Sequence, residues 1–328
     1  MKKVDIAREY VKRFPNSKKR TIAQLMYDEC MSVFKDVEDA RDSIRYVTGS
    51  RGKENRKKIP QQDVKIGKVG NPFELPPSEE PDWQVVNIPV GNNRILLLSD
   101  IHVPYHSIDA LTQAIEYGQQ KNGVNTVILN GDCIDFYQAS SFMKDPRKKR
   151  ISEELDIFKD FLSKLYYSLG EPKIYFKVGN HEERLERYLY VKAPELIGVE
   201  EFKLNNLLEF GKYGIEYIDK KRIIKAGNLS ILHGHEFGRS VFSPVNPARG
   251  AFMRAKESVI IGHHHQSSEH TEPTLNGKII TAWSTGCLCE LNPEYMPINK
   301  WNHGFAYVET DGEDFKVHNK RIYKGKII

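Results

Sequence analysis

Three short amphipathic segments open the chain. Apolar residues recur near helical spacing over residues 4–14, and Pro15-Asn16-Ser17 then supplies a break and a candidate helix N-cap. A second helix is predicted over residues 18–34. Residues 36–49 carry acidic side chains in the first turn, an apolar stripe and a terminal glycine, so they predict a third helix. Three short helices of this kind are typical of a helix-turn-helix unit.

A proline-rich segment separates this unit from the rest of the chain. Residues 59–82 contain five prolines and several glycines without helical or strand periodicity, which predicts a linker. The predicted domains are therefore a basic helix-turn-helix-like module at 1–58, the linker at 59–82, and a larger domain at 83–328.

Strand-like apolar runs alternate with helical segments throughout the larger domain. The predicted strands are residues 94–99, 126–130, 173–178, 229–232, 258–261 and 278–283. Helical patterns cover residues 108–121 and 153–169 between them. This alternation predicts an α/β sandwich.

Side chains suited to metal binding follow almost every predicted strand. A single Asp-x-His string is common by chance, but five such strings in one order, each after an apolar run, indicate a metal site held by strand ends. The strings are Ser99-Asp-Ile-His102, Gly131-Asp-Cys-Ile-Asp135, Gly179-Asn-His-Glu182, His233-Gly-His235 and Gly262-His-His-His265.

The order of these strings resembles the motifs of the calcineurin-like metallophosphoesterase superfamily, which includes serine/threonine phosphatases, repair nucleases and cyclic-nucleotide phosphodiesterases. The resemblance covers about residues 94–310 and implies a four-layer α/β/β/α sandwich with two metal ions. It implies that one metal is held by Asp100, His102 and His265, that the other is held by Asn180, His233 and His263, and that Asp132 bridges both.

The resemblance also implies how protons move. His181 falls where the family keeps a general acid that does not bind metal, and Asp135 falls where a carboxylate orients that imidazole. Two divalent cations can share a bridging hydroxide that attacks phosphorus while they neutralise the phosphate oxygens. We expect Mn²⁺ first, with Fe, Zn, Ni or Mg as alternatives.

The sequence departs from the eukaryotic serine/threonine phosphatases at two positions where those enzymes carry arginine. Phe136 and Val178 stand there instead. Arg184 is a candidate to bind the substrate in their place, and so is a basic run that equally suits a solvated loop: Arg147, Lys148, Lys149 and Arg150. The sequence as a whole resembles those of phosphoesterases from bacteriophage and bacterial genomes.

Positive charge is concentrated before residue 60. Residues 1–60 carry 16 Lys and Arg against 9 Asp and Glu, a net charge of +7, whereas the remainder carries 33 against 35, a net charge of −2. This excess suits contact with a phosphate backbone, although such modules also dock proteins. The candidate nucleic-acid-binding residues are Arg41, Arg45, Arg51, Lys53, Arg56, Lys57 and Lys58.

The cysteine and hydropathy patterns indicate in which cellular compartment the protein is found. Four scattered cysteines are too few for a disulfide framework, and no apolar run is long enough to cross a bilayer. We therefore expect no membrane association and a cytoplasmic protein, in the host cytoplasm if it is encoded by a phage. Cys287 and Cys289 are predicted to have packing roles.

The combined prediction is a dinuclear metal-dependent phosphodiesterase or nuclease acting on nucleic acid or oligonucleotides. A phosphomonoesterase acting on protein or nucleotides would use the same ligands and is the first alternative. A non-catalytic nucleic-acid or protein adaptor is the second, and the complete ligand set argues against it. Oligomeric state stays open.

Overall fold

The computed structural model describes residues 2–48, 73–80, 83–120, 123–238 and 245–328. The chain divides into two compact units, Met1–Pro81 and Asp82–Ile328. Most of the predicted linker and the whole basic run after residue 50 lie outside the described residues. The predicted domain bounds therefore stay predictions.

Three helices form the N-terminal unit: α1 (Lys3–Arg13), α2 (Lys19–Glu29) and α3 (Val37–Thr48). Each contributes a stripe of buried side chains to one small core. The prediction that the second helix extends to residue 34 is wrong, because α2 ends at Glu29. Phe34 is 2 % exposed within this core, and the chain turns after Cys30 to bring it there. No glycine or proline marks that turn in the sequence.

The second unit contains five further α-helices and thirteen strands within its described residues. The helices are α4 (Ile108–Gln120), α5 (Ile151–Ser168), α6 (Glu183–Lys192), α7 (Leu204–Leu207) and α8 (Pro247–Ala255). The strands are β1 (Val86–Asn87), β2 (Arg94–Leu98), β3 (Thr126–Asn130), β4 (Lys173–Lys177), β5 (Glu216–Ile218), β6 (Ile224–Ala226), β7 (Leu229–Ile231), β8 (Val259–Ile261), β9 (Ser268–Pro273), β10 (Ile279–Ser284), β11 (His303–Asp311), β12 (Asp314–Tyr323) and β13 (Lys326–Ile327).

These strands form two sheets in the described part of the chain. One sheet has the strand order β1-β6-β7-β8-β10-β9, and the other has the order β13-β12-β11-β2-β3-β4-β5. Strands β2 to β5 run parallel, as do β7, β8 and β10. Carboxyl ends of parallel strands meet at one edge of a sheet, which is where ligands bind in open α/β folds.

Successive side chains of the central strands point to opposite faces of the sheet, and this explains why the domain is built in layers. On β2, Leu96 and Leu98 pack against α4 and α5, whereas Ile95 and Leu97 face the core between the two sheets. Helix α8 covers the outer face of the other sheet through Ala248 and Ala251. Strands buried on both faces read as continuous apolar runs, as β2 and β3 do. The predicted four-layer α/β/β/α sandwich is confirmed.

Within the described ranges, every helix falls short of the length and apolar character needed to cross a bilayer.

Candidate metal centre

Loops at the carboxyl ends of five strands carry the predicted ligands. They follow β2, β3 and β4 in one sheet and β7 and β8 in the other. Five of the predicted ligands adopt the left-handed backbone region: Asp100, His102, Asp132, His263 and His265. This conformation costs a non-glycine residue about 1 kcal/mol or more, so its concentration here indicates a functional demand on the loops.

The loops of the two sheets approach each other closely. A Cβ at Gly131 would lie 2.6 Å from His233 Nδ1, and the positive φ of 82° at Gly131 also favours glycine. Glycine at this position therefore lets the loop after β3 reach the loop after β7.

Asp100, His102 and His265 form the first half of the centre. His265 Nε2 lies 3.2 Å from Asp100 Oδ1 and 3.2 Å from His102 Nε2. The carboxylate of Asp100 is fully buried, and it accepts the Ser99 hydroxyl at 2.7 Å and the His263 backbone N–H at 2.9 Å. These contacts hold three ligand-type atoms within reach of one cation.

Asp132, His233 and His263 form the second half. His233 Nε2 lies 3.2 Å from Asp132 Oδ2, while His233 Nδ1 lies 2.7 Å from the Asn130 carbonyl oxygen, which accepts its proton. That hydrogen bond leaves Nε2 with a free lone pair, as a metal-binding imidazole requires. Asn180 is next to His181, whose backbone N–H donates to Asp132 Oδ1 at 2.9 Å.

Asp132 belongs to both halves. Its carboxylate groups with Asp100 and His102, and it also groups with His233 and His263, with the ligand atoms of each group lying within 4.8 Å of one another. Asp132 Oδ2 is 4.0 Å from His102 Nε2 and 3.2 Å from His233 Nε2. One carboxylate therefore stands where a bridge between two cations would be.

The unpartnered atoms and the charges both fit divalent cations. Asn180 Oδ1 and His263 Nδ1 are buried without a hydrogen-bond partner. Burial opposes the charged imidazolium, yet the carboxylate of Asp132 raises the pKa of His233 to about 10, and that of Asp100 raises the pKa of His265 to about 10. The buried carboxylates thus demand positive charge. Carboxylate, imidazole and amide donors together suit Mn, Fe or Zn.

His181 and Asp135 lie together beside this cluster. His181 Nδ1 is 3.0 Å from Asp135 Oδ1, and His181 Nε2 is 3.8 Å from Asp132 Oδ2. Asp135 Oδ1 is also 3.1 Å from His102 Nδ1, so one carboxylate oxygen serves both imidazoles. Burial opposes ionisation of Asp135, but hydrogen bonds from His102 and His181 lower its pKa below the usual range.

The sequence matches the calcineurin-like phosphoesterase family over residues 93–295, more than half of the 328-residue chain. The chain belongs to this family. It is therefore a metal-dependent hydrolase of phosphoric esters. The comparison with curated proteins finds no match.

Several solved structures of Vps29 are similar to the phosphoesterase. Vps29 from Cryptosporidium Parvum is 13 % identical with a TM-score of 0.40, over 73 % of this chain and 95 % of that one. Vps29 from Entamoeba histolytica, complexed with Zn²⁺, is 14 % identical with a TM-score of 0.36, over 72 % and 96 %. Chaetomium thermophilum Vps29 is 7 % identical with a TM-score of 0.39, over 72 % and 95 %. At these scores the family assignment rests on the sequence match.

The predicted substrate-binding residues lie in different surroundings. Arg184 lies in the centre, where Nη2 is 2.8 Å from His181 Nε2 and Nη1 donates to the Asp135 carbonyl at 2.8 Å. In the basic run, Arg147 is exposed and paired with Asp145, and Lys148 Nζ lies 3.5 Å from Glu294 Oε2. Lys149 is exposed, and Arg150 directly precedes α5. A role for that run stays a prediction.

The candidate nucleic-acid-binding arginines of α3 are paired within their own helix. Arg41 Nη1 lies 2.9 Å from Glu38 Oε1, and Arg45 Nη1 lies 2.9 Å from Asp42 Oδ1. The other five candidates lie outside the described residues: Arg51, Lys53, Arg56, Lys57 and Lys58.

Additional histidines and cysteines surround the ligands. His235 Nε2 lies 3.2 Å from Glu183 Oε1, and His303 Nε2 lies 2.9 Å from the Cys289 carbonyl oxygen. Cys289 is buried, with Sγ 3.8 Å from His265 Nδ1, on the opposite side of that ring from Asp100. Sequence reasoning assigned this cysteine to packing and missed its contact with a ligand ring.

Glu182 is a functional residue that the sequence analysis did not single out. It is 2 % exposed, and Oε1 accepts backbone N–H groups of Cys133 and Ile134 at 2.7 and 3.1 Å. Oε2 accepts those of Asp132 and Gly179 at 2.9 and 2.8 Å. The signal was present, because Glu182 directly follows Asn180 and His181 in the third string.

A buried ion pair supports the loop that carries His233. Lys177 is fully buried at the end of β4, with Nζ 2.8 Å from Glu236 Oε1. Glu236 accepts the backbone N–H groups of His233 and Gly234 at 3.1 and 2.6 Å. No local sequence pattern joins these residues, since they come from different sheets.

Proposed function

We propose that this enzyme is a phosphodiesterase that acts on nucleic acid or oligonucleotides with two divalent cations, Mn²⁺ first among them. The observation that carries the proposal is the shared position of Asp132 between two ligand groups, with the His181–Asp135 pair beside it. Asp100, His102, His265 and Asp132 would hold one cation, and Asp132, Asn180, His233 and His263 the other. The cations would supply Lewis-acid polarisation of the phosphoryl oxygens and acidify the attacking water.

The protein's own groups would handle the leaving oxygen. Asp135 accepts the proton of His181 Nδ1 and so orients the ring with Nε2 towards Asp132. His181 can then deliver a proton from Nε2 to the departing alkoxide, while Asp135 stabilises the imidazolium. Burial opposes the charged form of His181, but the negative charge of Asp132 and then the hydrogen bond to Asp135 raise the pKa of His181 above its usual value.

Arg184 would bind the phosphate. Its Nη2 lies 2.8 Å from His181 Nε2, and a bound ester would replace that contact with one from Nη2 to a phosphoryl oxygen. The two positions that carry arginine in serine/threonine phosphatases hold Phe136 and Val178, which are buried apolar side chains. Fewer cations at these positions suit the single charge of a diester better than the dianion of a monoester.

The N-terminal unit would hold the polymer near the active site. The two α3 arginines are engaged in exposed ion pairs worth about 0–1 kcal/mol each, so a phosphate can replace their carboxylate partners at small cost. Tethering a second binding unit raises the effective concentration of a shared ligand.

The variant Asp132→Asn tests the metal assignment. The amide keeps the acceptor for the His181 backbone N–H but removes the charge that two cations would share. We expect kcat/KM for bis(p-nitrophenyl) phosphate with Mn²⁺ to fall at least about a hundredfold, or about 2.7 kcal/mol, and calorimetry to show weakened Mn²⁺ binding. Chelation of the wild type should also abolish hydrolysis.

Asp145→Asn is the matched control, because Asp145 is a carboxylate that pairs with exposed Arg147. It should retain wild-type activity, and both variants should retain the wild-type circular dichroism spectrum. Full activity in Asp132→Asn would refute the two-metal assignment. Rates on p-nitrophenyl phosphate and its diester, followed by DNA, RNA, cyclic nucleotides and phosphopeptides, separate the two esterase classes; faster monoester hydrolysis would replace the proposal with a phosphomonoesterase.

A further inference from the structure

A cavity lies directly beside the metal centre, on the side of His265. Its volume is about 450 Å³, and its walls include His264, Met296, Ile298, Lys300 and Trp301. His264 is flanked in sequence by the predicted ligands His263 and His265. The ring of Trp301 meets the ring of His265 at a centroid distance of 4.1 Å and an angle of 61°. The cavity and the metal centre therefore share a wall.

Aromatic side chains continue from this cavity towards the proton-handling pair. Tyr295 lies 6.3 Å from Trp301, measured between ring centroids. Desolvation and then the negative charge of Asp135 raise the pKa of Tyr295, and the positive charge of Arg184 opposes the shift. The side chain of Tyr295 is largely exposed to solvent. Tyr295 and Trp301 therefore form an aromatic pair, and Trp301 of this pair contacts the ring of His265.

The loop that forms the cavity is held in shape by side-chain amides. Asn299 Nδ2 donates to the carbonyl oxygens of Leu291 and Met296 at 2.6 and 2.8 Å, and Asn299 Oδ1 accepts the Trp301 backbone N–H at 2.8 Å. Asn292 Nδ2 donates to the Pro297 carbonyl at 2.8 Å. A wall fixed in advance loses little conformational entropy when it binds a ligand.

The cavity also leaves apolar surface uncovered. Ile298 is 93 % exposed and Met296 is 42 % exposed, and both line the cavity together with Trp301. Its volume lies within the range of about 300–1,000 Å³ that is typical of small-molecule sites. Lys300 places a cation at the same wall.

We infer that this cavity is a nucleobase subsite, in which Trp301 is the stacking platform for a base joined to the phosphate at the metal centre. This inference rests on the proposed function and names the substrate class as a nucleoside phosphodiester. A flat heteroaromatic base covers Trp301, Met296 and Ile298, and Lys300 meets a neighbouring phosphate of the same strand. Stacking on an aromatic side chain is tolerant of base identity, so the subsite selects a nucleoside without selecting a sequence.

Two substrates with the same leaving group test the inference in the full-length enzyme. Thymidine 5′-(p-nitrophenyl phosphate) and methyl p-nitrophenyl phosphate both release p-nitrophenolate, but only the first carries a base. We expect Trp301→Ala to lower the ratio of their kcat/KM values by about 5- to 150-fold, the equivalent of about 1–3 kcal/mol of stacking. Trp301→Phe should restore most of the ratio.

Trp83→Ala is the control, because Trp83 is 54 % exposed and its indole N–H donates to the Lys220 carbonyl rather than facing this cavity. It should leave both rates unchanged. Equal losses on both substrates in Trp301→Ala would overturn the inference and show that Trp301 only supports His265. Loss of the wild-type preference in Trp301→Phe to the same extent as in Trp301→Ala would also count against stacking, because phenylalanine keeps an aromatic face.

Failure of the proposed function gives a different result, since the wild type would then hydrolyse neither diester. Calorimetric titration of the full-length protein with thymidine 5′-monophosphate then decides the subsite. Binding by the wild type that Trp301→Ala weakens at least fivefold supports it. Equal binding by both proteins, or none, overturns it.

Discussion

Glu182 shows how a single buried side chain can hold several loops in place. Its two carboxylate oxygens accept four backbone N–H groups from the loops after β3 and β4. Burial, and then the charge of Asp132, raise the pKa of Glu182, while hydrogen bonds from Ile134 and Gly179 lower it. Four donors converging on two oxygens favour the ionised form, because a protonated oxygen would face a donor rather than an acceptor. Glu182 is therefore a positioning residue for Asp132.

The variant Glu182→Gln is expected to loosen this arrangement. Either orientation of the amide turns an NH₂ group towards two backbone donors, which leaves about two hydrogen bonds unmade at about 1–3 kcal/mol each. We expect a lower thermal midpoint, lower Mn²⁺ affinity by calorimetry, and partial recovery of activity at high Mn²⁺.

Glu183→Gln is the matched control, because the neighbouring carboxylate is partly exposed and pairs with His235 instead. It should leave stability nearly unchanged. Wild-type Mn²⁺ affinity in Glu182→Gln would contradict the positioning role.

Helix α5 lies outside the metal centre but positions the loop that carries Asp135. Glu154 of α5 is fully buried, and Oε1 accepts the Tyr137 backbone N–H at 3.2 Å, just after Asp135 and the left-handed Phe136. Its other oxygen is buried without a hydrogen-bond partner. Burial, and then the charge of Asp135, raise the pKa of Glu154 from its ordinary 4.5 to about 8. The helix therefore supports the loop with a carboxyl group that prefers to be neutral.

Stability should respond to pH through this group. A folded-state pKa above the unfolded value stabilises the fold below the unfolded pKa, and that contribution is lost as pH rises between 4.5 and about 8. The unfolding free energy of the wild type, measured by urea titration, should fall over this range relative to Glu154→Gln, which cannot ionise. Glu153→Gln, at a more exposed position of the same helix, should keep the wild-type dependence. Parallel pH profiles for wild type and Glu154→Gln would show that Glu154 does not titrate there.

The excess positive charge and the metal centre lie in different parts of the chain. The net charge of +7 lies in residues 1–60, whereas the metal centre lies in the unit that begins at Asp82. The proposed attraction for a polyanion and the hydrolysis of phosphoric esters therefore belong to different parts of the chain. Only the second assignment follows from the family.

Salt dependence would test the assignment of nucleic-acid binding to the N-terminal unit. The full-length protein with seven neutralising glutamines should bind duplex DNA more weakly, and the slope of log K against log salt should fall by up to about 6 if every side chain meets a phosphate. The substituted residues are Arg41, Arg45, Arg51, Lys53, Arg56, Lys57 and Lys58.

Lys164→Gln is the control, because Lys164 is an exposed lysine of α5 paired with Asp160. Fluorescence anisotropy at several salt concentrations gives both slopes. An unchanged slope in the glutamine variant would favour protein docking as the role of this unit.

Much of the metal centre could be predicted from the sequence, because apolar runs followed by Asp, Asn and His are local patterns. The runs predicted most of the central strands to within a residue or two, and Asp100, Asp132 and His263 each follow such a run. Strands β11 and β12 escaped prediction. In β12, polar and partly buried residues alternate, and its place in the sheet comes from pairing with β11 rather than from an apolar run of its own.

The sequence alone determined which residue types stand at the strand ends and in what order, since hydrophobic periodicity depends on neighbours along the chain. Only the tertiary structure decided that the loops of two sheets converge on Asp132, that Asp135 serves both His102 and His181, and that Trp301 packs on His265. Contacts within the metal centre join residues far apart in the sequence, as His102 and His265 are at a separation of 163 positions. The order and direction of the strands in the sheets bring these residues together, and the local sequence of a single strand determines neither.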